Sequence, residues 1–67
     1  MDVATLKAEM VKHGYTQETL SKEIGISTKT FYNKLKKEDF GCKEIDAMII
    51  ALELKDPAAI FFTNKVT

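Results

Sequence analysis

The sequence predicts an all-α fold of five helices in a single domain, residues 1–67. Three observations predict it. Apolar residues recur at spacings of three and four, helix-starting residues or glycines punctuate each apolar run, and no pair of alternating stretches is present to form a hairpin. With 45% hydrophobic and 30% charged residues, the chain has the balance of an ordinary folded domain and is too apolar for disorder.

The elements follow in order. Asp2 caps a first helix over residues 3 to 13, with Val3, Leu6, Met10 and Val11 expected on its inward face and Gly14 at its end. Thr16 caps a second helix that places Leu20 and Ile24 one turn apart on the core side and Glu18 and Glu23 on the charged side. Gly25 ends it, Ile26 turns back toward the core, and Ser27 caps the next helix, so the linker is only Gly25-Ile26-Ser27. The third helix runs from Thr28 to about Lys37 with Phe31 and Leu35 as the inward pair. A fourth begins near Cys42, where Glu44 complements its start, and carries Ile45, Met48, Ile49 and Leu52 as the central core stripe. Asp56-Pro57 opens a short fifth helix containing Ile60, Phe61 and Phe62. Two adjacent aromatics on one helix cannot both face inward, so one of Phe61 and Phe62 covers the core and the other is free for a partner.

Several function classes are disfavoured. A chain of 67 residues buries a small core, and a substrate cleft competes with the packing that keeps it folded. His13 and Cys42 are the only residues of their types, so the sequence points to no metal site, no cofactor and no His-assisted nucleophile. Glu44 and Asp46 fall on different helix faces and make no catalytic dyad. Neither an enzyme nor a small-molecule binder is expected. A lone cysteine and no leader-like start point to a cytoplasmic protein, and the apolar run Ala47 to Leu52 is too short for a membrane span.

Ten lysines balance ten acidic residues and arginine is absent, giving a formal net charge of zero. The distribution is uneven: residues 28–43 carry five lysines against Glu38 and Asp39, a local balance of +3, while both flanks are acidic. The basic stretch coincides with the third helix, whose outward side combines Thr28, Lys29, Tyr32, Asn33, Lys36 and Lys37.

Two short helices joined by a three-residue glycine turn make a helix-turn-helix unit, in which the first helix braces the second so that it enters a groove. The series Gln17, Leu20, Ser21 and Gly25-Ile26-Ser27 resembles the Cro and phage-repressor type of helix-turn-helix family. The five-helix order, the Phe40-Gly41 lead-in to the fourth helix and the Ala59-Ile60-Phe61-Phe62 ending are similar to short repressor-like proteins of phages and prophages of Gram-positive bacteria. Ser21 stands where alanine is usual in that family, and Lys34 takes a position that is often apolar, with Leu35 serving the core instead.

The resemblance implies a lambda-repressor-like DNA-binding domain with the helix-turn-helix at helices two and three. It implies that Thr28, Lys29 and Asn33 face base edges. Gln17, Ser27, Tyr32, Lys36, Lys37 and Lys43 would face the sugar-phosphate backbone. The side-chain chemistry agrees, since Asn pairs with adenine, Lys donates to guanine and a Thr methyl contacts thymine. The implied partner is double-stranded operator DNA, bound by a homodimer because one helix reads only a few base pairs, with Phe61, Phe62 and Val66 as the expected dimer contact. A lysine-rich helix face also serves as plain solvated surface, and Lys43 fits either role. A rival reading is a protein-interaction module, such as an antirepressor that keeps the fold, and zero net charge is its best argument.

Overall fold

Four of the five helices begin where a short polar side chain or a reaching carboxylate satisfies the free amides. In α1 (Val3–Lys12), Asp2 Oδ1 accepts from the Thr5 amide at 3.0 Å and Oδ2 from the Thr5 hydroxyl at 2.7 Å. The hydroxyl bond, reinforced by the amide, holds the Asp2 carboxyl below its ordinary pKa of 3.8. In α2 (Gln17–Ile24), Thr16 and Thr19 cap reciprocally: Thr16 Oγ1 accepts from the Thr19 amide at 3.1 Å, and Thr19 Oγ1 from the Thr16 amide at 2.8 Å. Ser27 Oγ accepts from the Thr30 amide at 3.1 Å to start α3 (Thr28–Lys37).

Gly41 has no side chain to cap α4 (Cys42–Ala51). Glu44 reaches back instead and accepts from the Gly41 amide at 2.7 Å. Pro57 occupies the first turn of α5 (Pro57–Phe61), as expected, but the Asp56 side chain makes no capping hydrogen bond. The Asp56 backbone lies at φ −135° and ψ 72°. Its carbonyl rather than its carboxylate takes up an amide, that of Ala59 at 3.2 Å.

The molecule, a computed structural model describing residues 1–62, is a compact assembly of these five helices, with no strand among the described residues. One core joins all five helices: Leu6 and Met10 of α1, Leu20 of α2, Phe31 and Leu35 of α3, and Met48 of α4 meet Leu52, Phe40, Ile60 and Phe61. Phe31 and Phe40 pack as a tilted pair, centroids 5.4 Å apart and planes at 52°, a geometry that places ring edge toward ring face. Helix α2 packs on α3 and α4, and α1 packs on α5. The Asp2 amide donates to the Ile60 carbonyl at 2.6 Å, tying the first turn of α1 to α5.

Two expectations change. Val11, expected on the inward face of α1, is 76% exposed. Adjacent residues of a helix diverge by about 100°, and with Leu6 and Met10 one turn apart against the core, Val11 is swung out beside them. Phe61 is buried at 9% exposure while Phe62 is 65% exposed, so the inward aromatic of the pair is Phe61. Its burial removes it from the expected dimer contact, and Val66 lies outside the described residues.

Candidate nucleic-acid interface

The turn between α2 and α3 decides how α3 is presented. Gly25 has φ +83° and ψ 27°, the left-handed conformation that side-chain-bearing residues avoid. Its amide bonds the Lys22 carbonyl at 3.2 Å and the next amide, of Ile26, bonds the Ser21 carbonyl at 2.9 Å, closing α2 abruptly. Ile26 packs against the core, and Ser27 returns to extended backbone before α3 begins.

Ser21, fully buried, lies where α2 approaches α3. Its hydroxyl donates to the Glu18 carbonyl at 2.7 Å and meets Thr28 Oγ1 at 3.3 Å. A larger side chain there would force the two helices apart.

Phe31 at 0% and Leu35 at 5% exposure anchor α3. At about 100° per residue, Lys29, Asn33, Lys36 and Lys37 project on the opposite side with Tyr32 flanking, while Thr28 falls on the side of Leu35 and is open because it stands on the first turn; all six are exposed. A shallow hollow of about 210 Å³ lies on one flank and brings Gln17, Tyr32 and Lys36 together with Val3, Lys7 and Leu35. On the other flank a notch of about 470 Å³ is lined by Thr30, Asn33, Lys34, Lys37, Asp39 and Gly41. Of the residues singled out in the sequence, Gln17, Tyr32 and Lys36 thus share one hollow and Asn33 and Lys37 the other. Thr28 and Lys29 lie on the exposed first turn. Lys43 is exposed on the first turn of α4 and lines neither hollow. The Ser27 hydroxyl is engaged in capping, since it also donates to Thr30 Oγ1 at 2.8 Å.

Lys34, which lines the notch beside Asn33 and Lys37, is the lysine of α3 whose charge is paired within the fold. Its Nζ donates to both carboxylate oxygens of Glu44, at 2.9 and 2.7 Å, and its side chain is 34% exposed against 15% for that of Glu44. The Lys34 hydrogen bond, helped by the Gly41 amide and opposed by burial, holds the Glu44 carboxyl below the ordinary glutamate value of 4.5. One carboxylate therefore caps α4, neutralises Lys34 and fastens α3 to α4. Neither this clamp nor the Ser21–Thr28 contact was foreseen. The one sequence signal for the clamp was a lysine at a helix position adjoining the core.

No family model, curated protein or solved structure matches the chain. Elsewhere in the fold, His13 stands between Glu9 and Glu53, with ring nitrogens 3.8 Å from a carboxylate oxygen of each. Among the described residues no group of three or more His, Cys, Asp and Glu side chains is placed to hold a metal ion, and no helix is long and apolar enough to cross a membrane.

Proposed function

We propose that the chain is a sequence-specific regulator of transcription that binds double-stranded operator DNA through a helix-turn-helix formed by α2 and α3, with α3 in the major groove. The observation that carries the reading is the exposed polar and basic side of α3, held outward by buried Phe31 and Leu35 after an abrupt left-handed turn at Gly25. In this reading Thr28, Lys29 and Asn33 meet base edges. Gln17, Tyr32, Lys36, Lys37 and Lys43 meet the sugar-phosphate backbone, and the capping hydroxyl of Ser27 leaves that residue its exposed position rather than a free donor.

The protein acts as a repressor or Cro-like regulator, and two copies pair on a palindromic site to multiply the specificity of a single helix. Phe62, 65% exposed at the end of α5, is the aromatic left to contribute to that pairing.

If Lys36, Lys37 and Lys43 each neutralise one phosphate, the logarithm of affinity falls with the logarithm of salt concentration at a slope of about −2.7 per protomer. Zero net charge and the neutralised Lys34 favour the second reading, an antirepressor or other interaction module that keeps the fold. Selection of bound duplexes from random DNA at low salt, followed by mobility shifts with Asn33→Ala and Lys29→Ala, separates the two. Enrichment of a palindromic sequence that both substitutions weaken supports DNA reading. No enrichment, or binding indifferent to both, supports the interaction module.

A further inference from the structure

We infer that buried Ser21, which lies behind the surface of α3, sets the hydrogen-bonding polarity of Thr28 and through it the base that Thr28 prefers. The inference rests on the DNA-binding reading above and concerns which base edge this chain accepts. A hydroxyl carries one proton and two lone pairs. The Ser21 proton is spent on the Glu18 carbonyl at 2.7 Å, because a carbonyl oxygen only accepts. The 3.3 Å contact between Ser21 Oγ and Thr28 Oγ1 therefore has Thr28 as its donor.

Ser21 is fully buried, so no water supplies a proton to its lone pairs and Thr28, exposed on the first turn of α3, is the donor that reaches it. With its proton directed inward, Thr28 offers a ligand lone pairs alone. In the major groove adenine N6 and cytosine N4 are amino donors, whereas guanine O6 and N7 and thymine O4 are acceptors. A free threonine hydroxyl serves either kind of edge; Thr28 with its proton committed selects adenine or cytosine. Ser21 is thus a positioning residue that touches no base.

The test compares binding sites selected from random duplexes by the unaltered full chain, by Ser21→Ala and by Thr28→Val. Alanine is smaller than serine, so the close approach of α2 to α3 is kept. The unaltered protein prefers adenine or cytosine at the pair contacted by Thr28 by roughly fivefold, the worth of one net hydrogen bond. Ser21→Ala relaxes that preference to about twofold or less while preferences at the Lys29 and Asn33 pairs hold. Thr28→Val abolishes it, and adding Ser21→Ala to Thr28→Val changes nothing more.

An unchanged preference in Ser21→Ala, or a uniform loss of affinity for all sequences, overturns the inference and leaves the DNA-binding reading standing. Failure of the unaltered protein to select any sequence overturns both. A readout without DNA accompanies these: three-bond couplings to the Thr28 methyl report one side-chain rotamer in the unaltered chain and averaging in Ser21→Ala. Averaging already present in the unaltered chain also overturns it.

Discussion

Removing the Glu44 carboxylate should cost this small domain about 2 kcal/mol, because one group serves two purposes. Its bond to the Gly41 amide at 2.7 Å substitutes for an N-cap side chain, worth about 1 kcal/mol. Its two bonds to Lys34, at 2.9 and 2.7 Å, are charge-assisted. A third of the Lys34 side chain is exposed, which reduces their combined worth to about 1 kcal/mol. Glu44→Ala loses both contributions and should lower the melting temperature by roughly 8–16 °C for a domain of this size. Lys34→Met loses only the second and should cost about 1 kcal/mol, and a double-mutant cycle should return a coupling of the same size.

The pH dependence has a definite sign. The folded-state pKa of Glu44 lies below its ordinary 4.5, so the folded state binds this proton less readily than the unfolded chain. The stabilisation is complete above about 4.5 and drains away as pH falls from there through the folded pKa. Glu44→Gln should therefore flatten the stability profile below pH 4.5, leaving the residual slope contributed by Asp2, whose pKa is lowered in the same direction. Urea unfolding followed by circular dichroism between pH 3 and 8 measures all of this. A coupling below about 0.3 kcal/mol, within the scatter of independent sites, or parallel acid profiles for the unaltered and Glu44→Gln proteins, would refute the clamp.

Three further outcomes are expected. Gly25→Ala meets no steric obstacle, since nothing lies within 4 Å of the added methyl, yet φ +83° strains any side-chain-bearing residue; chemical denaturation should show a loss of about 1–2 kcal/mol. Phe31→Ala empties the centre of the core and should cost about 3–5 kcal/mol, enough to abolish the cooperative thermal transition in so short a chain. In DNA binding, Lys36→Ala should weaken all sequences about equally and reduce the salt slope by about 1, while Asn33→Ala alters base preference; equal effects of both on every sequence would contradict the division between backbone and base contacts.

Local chemistry was legible and tertiary chemistry was not. Thr16, Ser27, Gly25 and the Phe31–Leu35 pair act within one turn of themselves, so their roles follow from neighbours in the chain. Val11 was misread because apolar character alone does not say which of two successive helix residues follows the core, although the same reasoning had flagged Phe61 and Phe62. The Lys34–Glu44 clamp joins residues ten apart on different helices, and the Ser21–Thr28 contact spans a turn; each depends on a packing arrangement that no local pattern encodes. The left-handed backbones of Glu38 and Glu53 were equally hidden, since glutamate has no bias toward that conformation. In the candidate interface, the exposed residues of α3 follow from helical periodicity, whereas the pairing of Lys34 with Glu44 needed the fold.

Those two glutamates have a practical consequence. At φ 56° and 48° they hold backbone shapes that glycine adopts without steric cost, and neither lines the hollows beside α3. Replacing either with glycine relieves the backbone but gives up a carboxylate contact, that of Glu38 with the N-terminal ammonium at 3.4 Å or that of Glu53 with His13 at 3.8 Å. Each of these tense backbones is thus held in exchange for a side chain that ties two distant parts of the chain together.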